Sequence, residues 1–359
     1  MMNQKMKLEK KNRQRMNKQS SKQTPVKKLA VIGAGSWGTA IAMVLSGKGV
    51  PTVLWGHNKE HQAALAKDRE NKKYLPGFSF SSALEITSDL QEAVTGSDVI
   101  CMVVPSHGYR TVFGELQQYL TDTVSIVSAV KGIENKTLMT MTQVMEDVLG
   151  ADRKKNTILS VLSGPSFAKE VAQGLPTAVT IGCSDIEDAQ NLQNIFGTKL
   201  FRVYAAQDLI GLEISAALKN IVAIAAGISD GLGYGLNSRA ALITRGLAEI
   251  TRMGVAMGAD PATFSGLSGL GDLVLTCTGD LSRNRSVGLK LGEGKKLPQI
   301  LEEMQMVAEG VKTTKSVHGL MQNMGVDMPI LEQVYQILYK EKDCSTAVTD
   351  LLTRELKVE

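Results

Sequence analysis

The chain has 359 residues, 43% hydrophobic and 21% charged, a balance that suits one large or two ordinary globular domains and excludes a low-complexity or fibrous chain. The net charge of +4 misleads, because residues 1–25 hold eight Lys or Arg and one Glu, so that this stretch carries +7 and the remainder −3. Cys101, Cys183, Cys277 and Cys344 lie far apart and the four histidines have no ligand spacing, which excludes a disulfide framework or zinc module and fits a reducing cytoplasm and no metal.

Residues 1–25 are expected to be a solvated, disordered tail rather than a nucleic-acid or membrane-surface contact. They lack the apolar core of a secretory signal, and Met16 offers an alternative start. From Lys27 strands and helices alternate. "KLAVIGAG" reads as a buried parallel strand, and "WGTAIAMVLSGKG" as the helix after it, closed by Gly47 and Gly49. "PTVLWG", "SDVICMVVPS", "VSIVSAVKG", "ILSVLSGPS", "TAVTIG" and "LFRVYAA" read as further strands. Such alternation predicts a mostly parallel sheet with right-handed crossovers.

After Gln207 helical patterns take over. "DLIGLEISAALKNIVAIAAGISDG" opens this half with Asp208 as N-cap. "NSRAALITRGLAEITRMGVAMG" is expected to start at Asn237 or Ser238, and Asp260-Pro261 to start a third helix. The apolar run around residue 215 is broken by Glu213, Lys219 and Asn220, so no transmembrane span is expected. The predicted organisation is a tail (1–25), an α/β dinucleotide-binding domain of Rossmann type (26–207) and an all-α substrate and catalytic domain (208–359).

The first chemical signal is "VIGAGSWG", Gly33-x-Gly35-x-x-Gly38, placed between a strand and a helix. Gly33 permits the tight turn, Gly35 the approach of a pyrophosphate, and Gly38 the packing of helix on strand, with the helix N-terminus facing the phosphates. The second strand ends in "LWGHNKE", with no acid before Glu60. An acid there would hold ribose hydroxyls and repel a 2′-phosphate. Its absence, with His57 and Lys59 nearby, leans towards NADP(H) over NAD(H), or tolerance of both; His57 also reads as an ordinary surface histidine.

Lys131, Gly164 and Ser166 follow later strands, where an open α/β sheet places its ligands. In "GLSGLGDLVLTCTGDLSRNRSVG", Asp272 follows three glycines, and Ser282, Arg283 and Asn284 form a group suited to phosphate. Each group also has a purely structural reading as an exposed lysine, a stiff turn or a polar helix start. Lys219, inside an apolar helix, reads either as a general acid or as one half of an ion pair with Glu213 or Asp272.

Taken together, "GAGSWGTA", "VKGIE", "SGPSFAKEV", "LKNIVAIAAGISDGLGYG", "GLSGLGDLVLTCTGDLSRNR" and "VAEGVKT" resemble, in order, the signatures of the bacterial type of NAD(P)-dependent glycerol-3-phosphate dehydrogenase. The resemblance implies reversible reduction of dihydroxyacetone phosphate to sn-glycerol 3-phosphate, feeding glycerophospholipid synthesis. It implies Lys219 as proton donor and acceptor. Lys131, Gly164, Ser166, Asp272, Ser282, Arg283 and Asn284 would surround the substrate. Ser36, Trp37, His57, Lys131, Ala168, Arg283, Val307 and Glu309 would surround the cofactor. His57 departs from the Arg often found there, and the basic tail has no counterpart in the pattern. A homodimer, in the cytoplasm and without membrane insertion, is implied too. The competing expectations are another two-domain hydroxyacid or sugar-acid dehydrogenase, or a protein that senses NAD(P)H without chemistry.

Overall fold

The computed structural model describes residues 26–120, 123–304, 308–355 and 358; the tail and Val307 lie outside them. Ten strands occur among these residues: β1 (Leu29–Ile32), β2 (Thr52–Trp55), β3 (Glu70–Asn71), β4 (Leu75–Ser79), β5 (Leu84–Thr87), β6 (Val99–Met102), β7 (Val124–Ser128), β8 (Thr157–Ser163), β9 (Thr177–Cys183) and β10 (Phe201–Ala206). Eight form one sheet in the order β10-β9-β8-β7-β6-β1-β2-β5, while β3 and β4 pair separately. The short apolar runs of β1, β2 and β6 are buried along their whole length, as a sheet covered on both faces requires.

Every pair from β5 to β8 is parallel, but β8 and β9 run antiparallel, and β10 then follows β9. The sheet is mostly parallel, as expected, and its one antiparallel pair has a reason of length. The connection holds only the five-residue helix Ala168–Ala172, which climbs about 8 Å. The seven residues of β8 span about 23 Å. A helix that short cannot carry the chain back to the start of β8, so β9 returns beside it. Strand β5 and the β3–β4 ribbon were not expected either; their burial patterns mix exposed and buried positions and offer no sustained apolar period.

The helical half is organised around the helix Leu209–Gly231, buried from Gly211 to Ser229. Asp208 caps it by accepting from the Gly211 N–H at 2.9 Å, as expected. This helix is long and apolar enough to cross a membrane, but the protein itself buries it. The next long helix starts at Leu236 behind Gly235, with no side-chain cap, instead of at Asn237 or Ser238. Asp260 caps a short 3₁₀ turn, Pro261–Ser265, where a longer helix was expected.

One close approach sets the site. The helix Arg283–Gly292 packs on the central helix through glycines on both sides. A Cβ on Gly227 would lie 2.0 Å from the Arg285 carbonyl oxygen, and one on Gly288 2.0 Å from that of Ile224. No larger residue fits between the backbones, and the contact carries Asn284 up to Asn220.

Candidate active site

The glycine loop comes first. Gly33 has φ +127°, and a Cβ there would sit 2.8 Å from the Val103 backbone. A Cβ on Gly38 would meet the Gly33 carbonyl at 1.8 Å, whereas one on Gly35 meets nothing within 4 Å. Two glycines are thus required by packing, and the third leaves open space above the loop. The helix Ser36–Gly47 starts there with no side-chain cap, so its first N–H groups are available to an anion. Ser36 donates to the Tyr74 carbonyl at 2.6 Å. The Trp37 ring lies 6.4 Å from that of Phe201, and its indole N–H is buried without an acceptor among the described residues. His57 is exposed just beyond β2, with Asn58 capping the following helix by accepting from the His61 N–H. An open loop, an uncapped helix start and an orphan donor fit a dinucleotide.

The polar residues that follow the later strands are densely bonded. Asp272, 1% exposed, places one carboxylate oxygen on each of two lysines. Lys219 Nζ donates to Oδ1 at 2.6 Å, and Lys131 Nζ donates to Oδ2 at 2.7 Å. Lys131 arrives from the end of β7, and Lys219 from the central helix. The ion pairs therefore join the two halves of the chain. Lys131 also donates to the Gly164 carbonyl at 3.0 Å. Gly164 has φ +140°, where a Cβ would press to 2.9 Å on Val179, so only glycine turns that carbonyl towards Lys131. Ser166 donates to the same carbonyl at 3.0 Å. Ala168 starts the short helix behind it.

Lys219 makes a second bond, to Thr276 Oγ1 at 2.7 Å, while that hydroxyl donates to the Asp272 carbonyl at 2.6 Å. Burial pushes the Lys219 ammonium down to about 8; Asp272 opposes this and the charge of Lys131 adds to it. Glu213, the other expected partner, is not in this network. It accepts from the Thr142 N–H at 2.8 Å and from the Thr142 hydroxyl, because six residues along a helix turn its side chain to a different face.

Asn220 accepts from Asn284 Nδ2 at 2.9 Å and makes longer contacts to the Lys131 and Ala216 carbonyls at 3.4 and 3.5 Å. Asn284 also accepts from the Gly310 N–H at 2.9 Å. Ser282 caps the helix that starts at Arg283 by accepting from the Arg285 N–H, and the first N–H groups of that helix lack intrahelical acceptors. The Arg283 side chain reaches solvent, yet the surrounding protein lowers its pKa by desolvation, opposed by the charge of Glu309. Arg285 instead pairs with Asp230 at 2.8 Å and is structural.

Lys131, Gly164, Ser166, Lys219 and Asp272 thus share one hydrogen-bond network, which Asn284 joins through Asn220, while Ser282 and Arg283 are its neighbours at the same helix start. Two participants escaped the sequence reading. Thr276 lies four residues after Asp272 on one helix, a spacing that could have found it. Ser106, which donates to Glu309 at 2.6 Å across 203 residues, had no local signal. Among the described residues no group of three His, Cys, Asp or Glu could hold a metal.

Residues 28–189 match the family model for the NAD-dependent glycerol-3-phosphate dehydrogenase N-terminus, and residues 208–349 match that for its C-terminus. A glycerol-3-phosphate dehydrogenase [NAD(P)+] of Desulfotalea psychrophila is 61% identical, over 92% of this chain and 98% of that one. That of Citrifermentans bemidjiense is 53% identical over the same shares. The crystal structure of glycerol-3-phosphate dehydrogenase from Coxiella burnetii superposes with a TM-score of 0.87 at 40% identity, covering 91% of this chain and 99% of the other.

Proposed function

The chain belongs to the NAD-dependent glycerol-3-phosphate dehydrogenase family, and we propose that it performs that family's reaction through the bridge Lys219–Asp272–Lys131. It is an NAD(P)-dependent oxidoreductase that reduces dihydroxyacetone phosphate to sn-glycerol 3-phosphate, reversibly, and so supplies glycerophospholipid synthesis. The observation that carries the residue assignment is the buried Asp272 carboxylate shared by two ammonium groups from the two halves.

The bound nicotinamide supplies or accepts the hydride. Everything else falls to the chain. A ketone that gains hydride becomes an alkoxide and needs a proton. The Lys219 ammonium has three N–H groups, and two are directed at Asp272 and Thr276. The third polarises the substrate carbonyl and then protonates its oxygen, leaving Lys219 neutral until solvent restores the proton. Asp272 keeps Lys219 cationic and aimed. Lys131 adds positive charge beside the developing oxyanion. The helix start at Ser282, Arg283 and Asn284 holds the phosphate, so that the carbonyl has one position relative to the hydride donor.

Gly33, Gly35, Ser36, Trp37 and Gly38 would hold the pyrophosphate end of the cofactor, with His57 near the adenosine ribose. Ala168, Glu309 and Val307 would complete its surroundings. The lack of an acid after β2 supports a lean towards NADPH. The catalytic unit is taken as residues 208–359 and the dinucleotide unit as 26–207, in a cytoplasmic homodimer with neither nucleic-acid partner nor membrane insertion.

The test is NAD(P)H oxidation with dihydroxyacetone phosphate against phosphate-free dihydroxyacetone, in wild type and Lys219→Ala. Oxidation should need both the phosphate and Lys219. Near-normal turnover in the folded variant would sink the assignment of the acid.

A further inference from the structure

Asp230 has no part in the chemistry, yet a carboxylate is costly where it stands. It lies in the last turn of the central helix, where the helix dipole disfavours an anion, and its side chain is 6% exposed. Two guanidinium groups offset that cost. Oδ1 accepts from Arg239 Nε at 2.9 Å and Nη2 at 2.6 Å. Oδ2 accepts from Arg285 Nε at 2.9 Å and Nη2 at 2.8 Å. Arg239 stands in the first turn of the helix Leu236–Ala256. Arg285 stands in the first turn of the helix Arg283–Gly292. Its Nη1 also donates to the exposed Asp280 at 3.1 Å.

The contact between the Arg283 helix and the central helix explains why a tether is needed. Besides Gly227 and Gly288, a Cβ on Gly231 would lie 2.2 Å from the Leu289 carbonyl oxygen, and one on Gly292 2.5 Å from that of Ile228. Helices ordinarily lock together by side-chain ridges seated in grooves. Glycine against backbone supplies no ridge, so this contact sets how near the helices lie but resists sliding and rotation poorly. Polar side chains of the first turn take over that task. Asn284 donates to Asn220 at 2.9 Å, and Arg285 reaches Asp230 further along the same central helix. Successive helical residues point about 100° apart, so the two bonds grip the first turn from different directions. Ser282 accepts the Arg285 N–H at 3.2 Å, so the turn that bears Arg283 is capped as well as tethered.

We propose that Asp230 and Arg285 are positioning residues for substrate phosphate: their ion pair fixes the register of the helix start that bears Arg283, and so the place at which the phosphate is held. This rests on the reading of that helix start as the phosphate anchor. Recognition of phosphate by a guanidinium is directional, so a turn able to rotate binds it less well.

Competitive inhibition by inorganic phosphate against dihydroxyacetone phosphate tests this in the full-length enzyme, with Kd for NAD(P)H from fluorescence titration. The sign in Asp230→Asn is decisive. Charge alone would tighten phosphate binding, because a negative group is removed; lost positioning loosens it. The Ki for phosphate and the KM for dihydroxyacetone phosphate should both rise about five- to tenfold. The kcat and the Kd for NAD(P)H should stay within about twofold. Arg285→Lys keeps the charge but not the fork; it should show the same pattern, and it decides the matter if Asp230→Asn does not fold. Arg239→Ala removes the other guanidinium and spares the Arg285 bond, so its Ki should stay within about twofold. A Ki that is unchanged or lower in Asp230→Asn or in Arg285→Lys, an equal rise in Arg239→Ala, or a loss confined to kcat would overturn the proposal. Arg283→Ala separates the two layers. An unchanged Ki there removes the anchor reading and this proposal with it. A strong rise there, with none in Asp230→Asn and Arg285→Lys, removes only the role of the pair.

Discussion

The central helix contains two buried charged side chains, six residues apart, that do opposite jobs. Around Glu213 the surroundings are complete. The carboxylate receives the N–H and the hydroxyl of Thr142 at the start of the helix Met141–Lys154, and that position favours an anion. Around Lys219 they are incomplete. Two of its three N–H groups are met, by Asp272 and Thr276, beside a second lysine on the same carboxylate. Burial also drives the two pKa values in opposite directions, up for Glu213 and down for Lys219. Depth and charge alone therefore do not distinguish the two groups; what does is that Lys219 shares its carboxylate with a second lysine from the other half of the chain.

The largest effect should come from Lys219→Ala. Turnover should fall by about a thousandfold or more, while the thermal midpoint and circular dichroism stay near wild type. A comparable turnover loss in Glu213→Ala would collapse the contrast. Asp272→Asn comes next, lowering kcat/KM by about a hundredfold. It also has a signed pH consequence. Reduction needs protonated Lys219, so the wild-type rate should decline as pH rises through about 8. Asp272 raises that pKa, so the variant should lose activity at lower pH. Oxidation of glycerol 3-phosphate needs neutral Lys219 and should gain across the same window. A decline that stays at the wild-type pH in Asp272→Asn would remove Asp272 from control of Lys219.

Glu213→Ala should act on stability instead. It leaves the Thr142 N–H without a partner in the interior, at a cost of about 1–3 kcal/mol, read from chemical denaturation. Its kcat per folded molecule should stay within about twofold. The smallest effect belongs to exposed His57. His57→Asp should shift preference from NADPH towards NADH by about tenfold, or 1.4 kcal/mol, with unaltered stability. No shift would detach His57 from the cofactor.

How much could be read beforehand differs from one part to another. The glycine loop was legible, since a strand, three glycines and a helix follow one another within the Leu29–Gly47 stretch. The two long helices after Asp208 were legible because caps and apolar period are local signals, but a third at Asp260 was not, since only a short 3₁₀ turn starts there. The antiparallel return of β9 was not, although it follows from the shortness of one helix. The choice between Glu213 and Asp272 as partner of Lys219 stayed open, since both are acids within reach of some helix packing.

What the sequence determined by itself is what depends on near neighbours: which stretches are strands or helices, where an anion can meet a glycine turn, and which polar residues interrupt an apolar helix. The tertiary structure alone decided who meets whom. Asp272 joins Lys131 across 141 residues and Lys219 across 53, and Ser106 finds Glu309 across 203. Hydrogen bonds and ion pairs act over about 3 Å, so partners that far apart along the chain are set by the packing of elements. Here that packing turns on backbone contact at Gly227 and Gly288, which lets two helices approach closely enough for Asn284 to donate to Asn220.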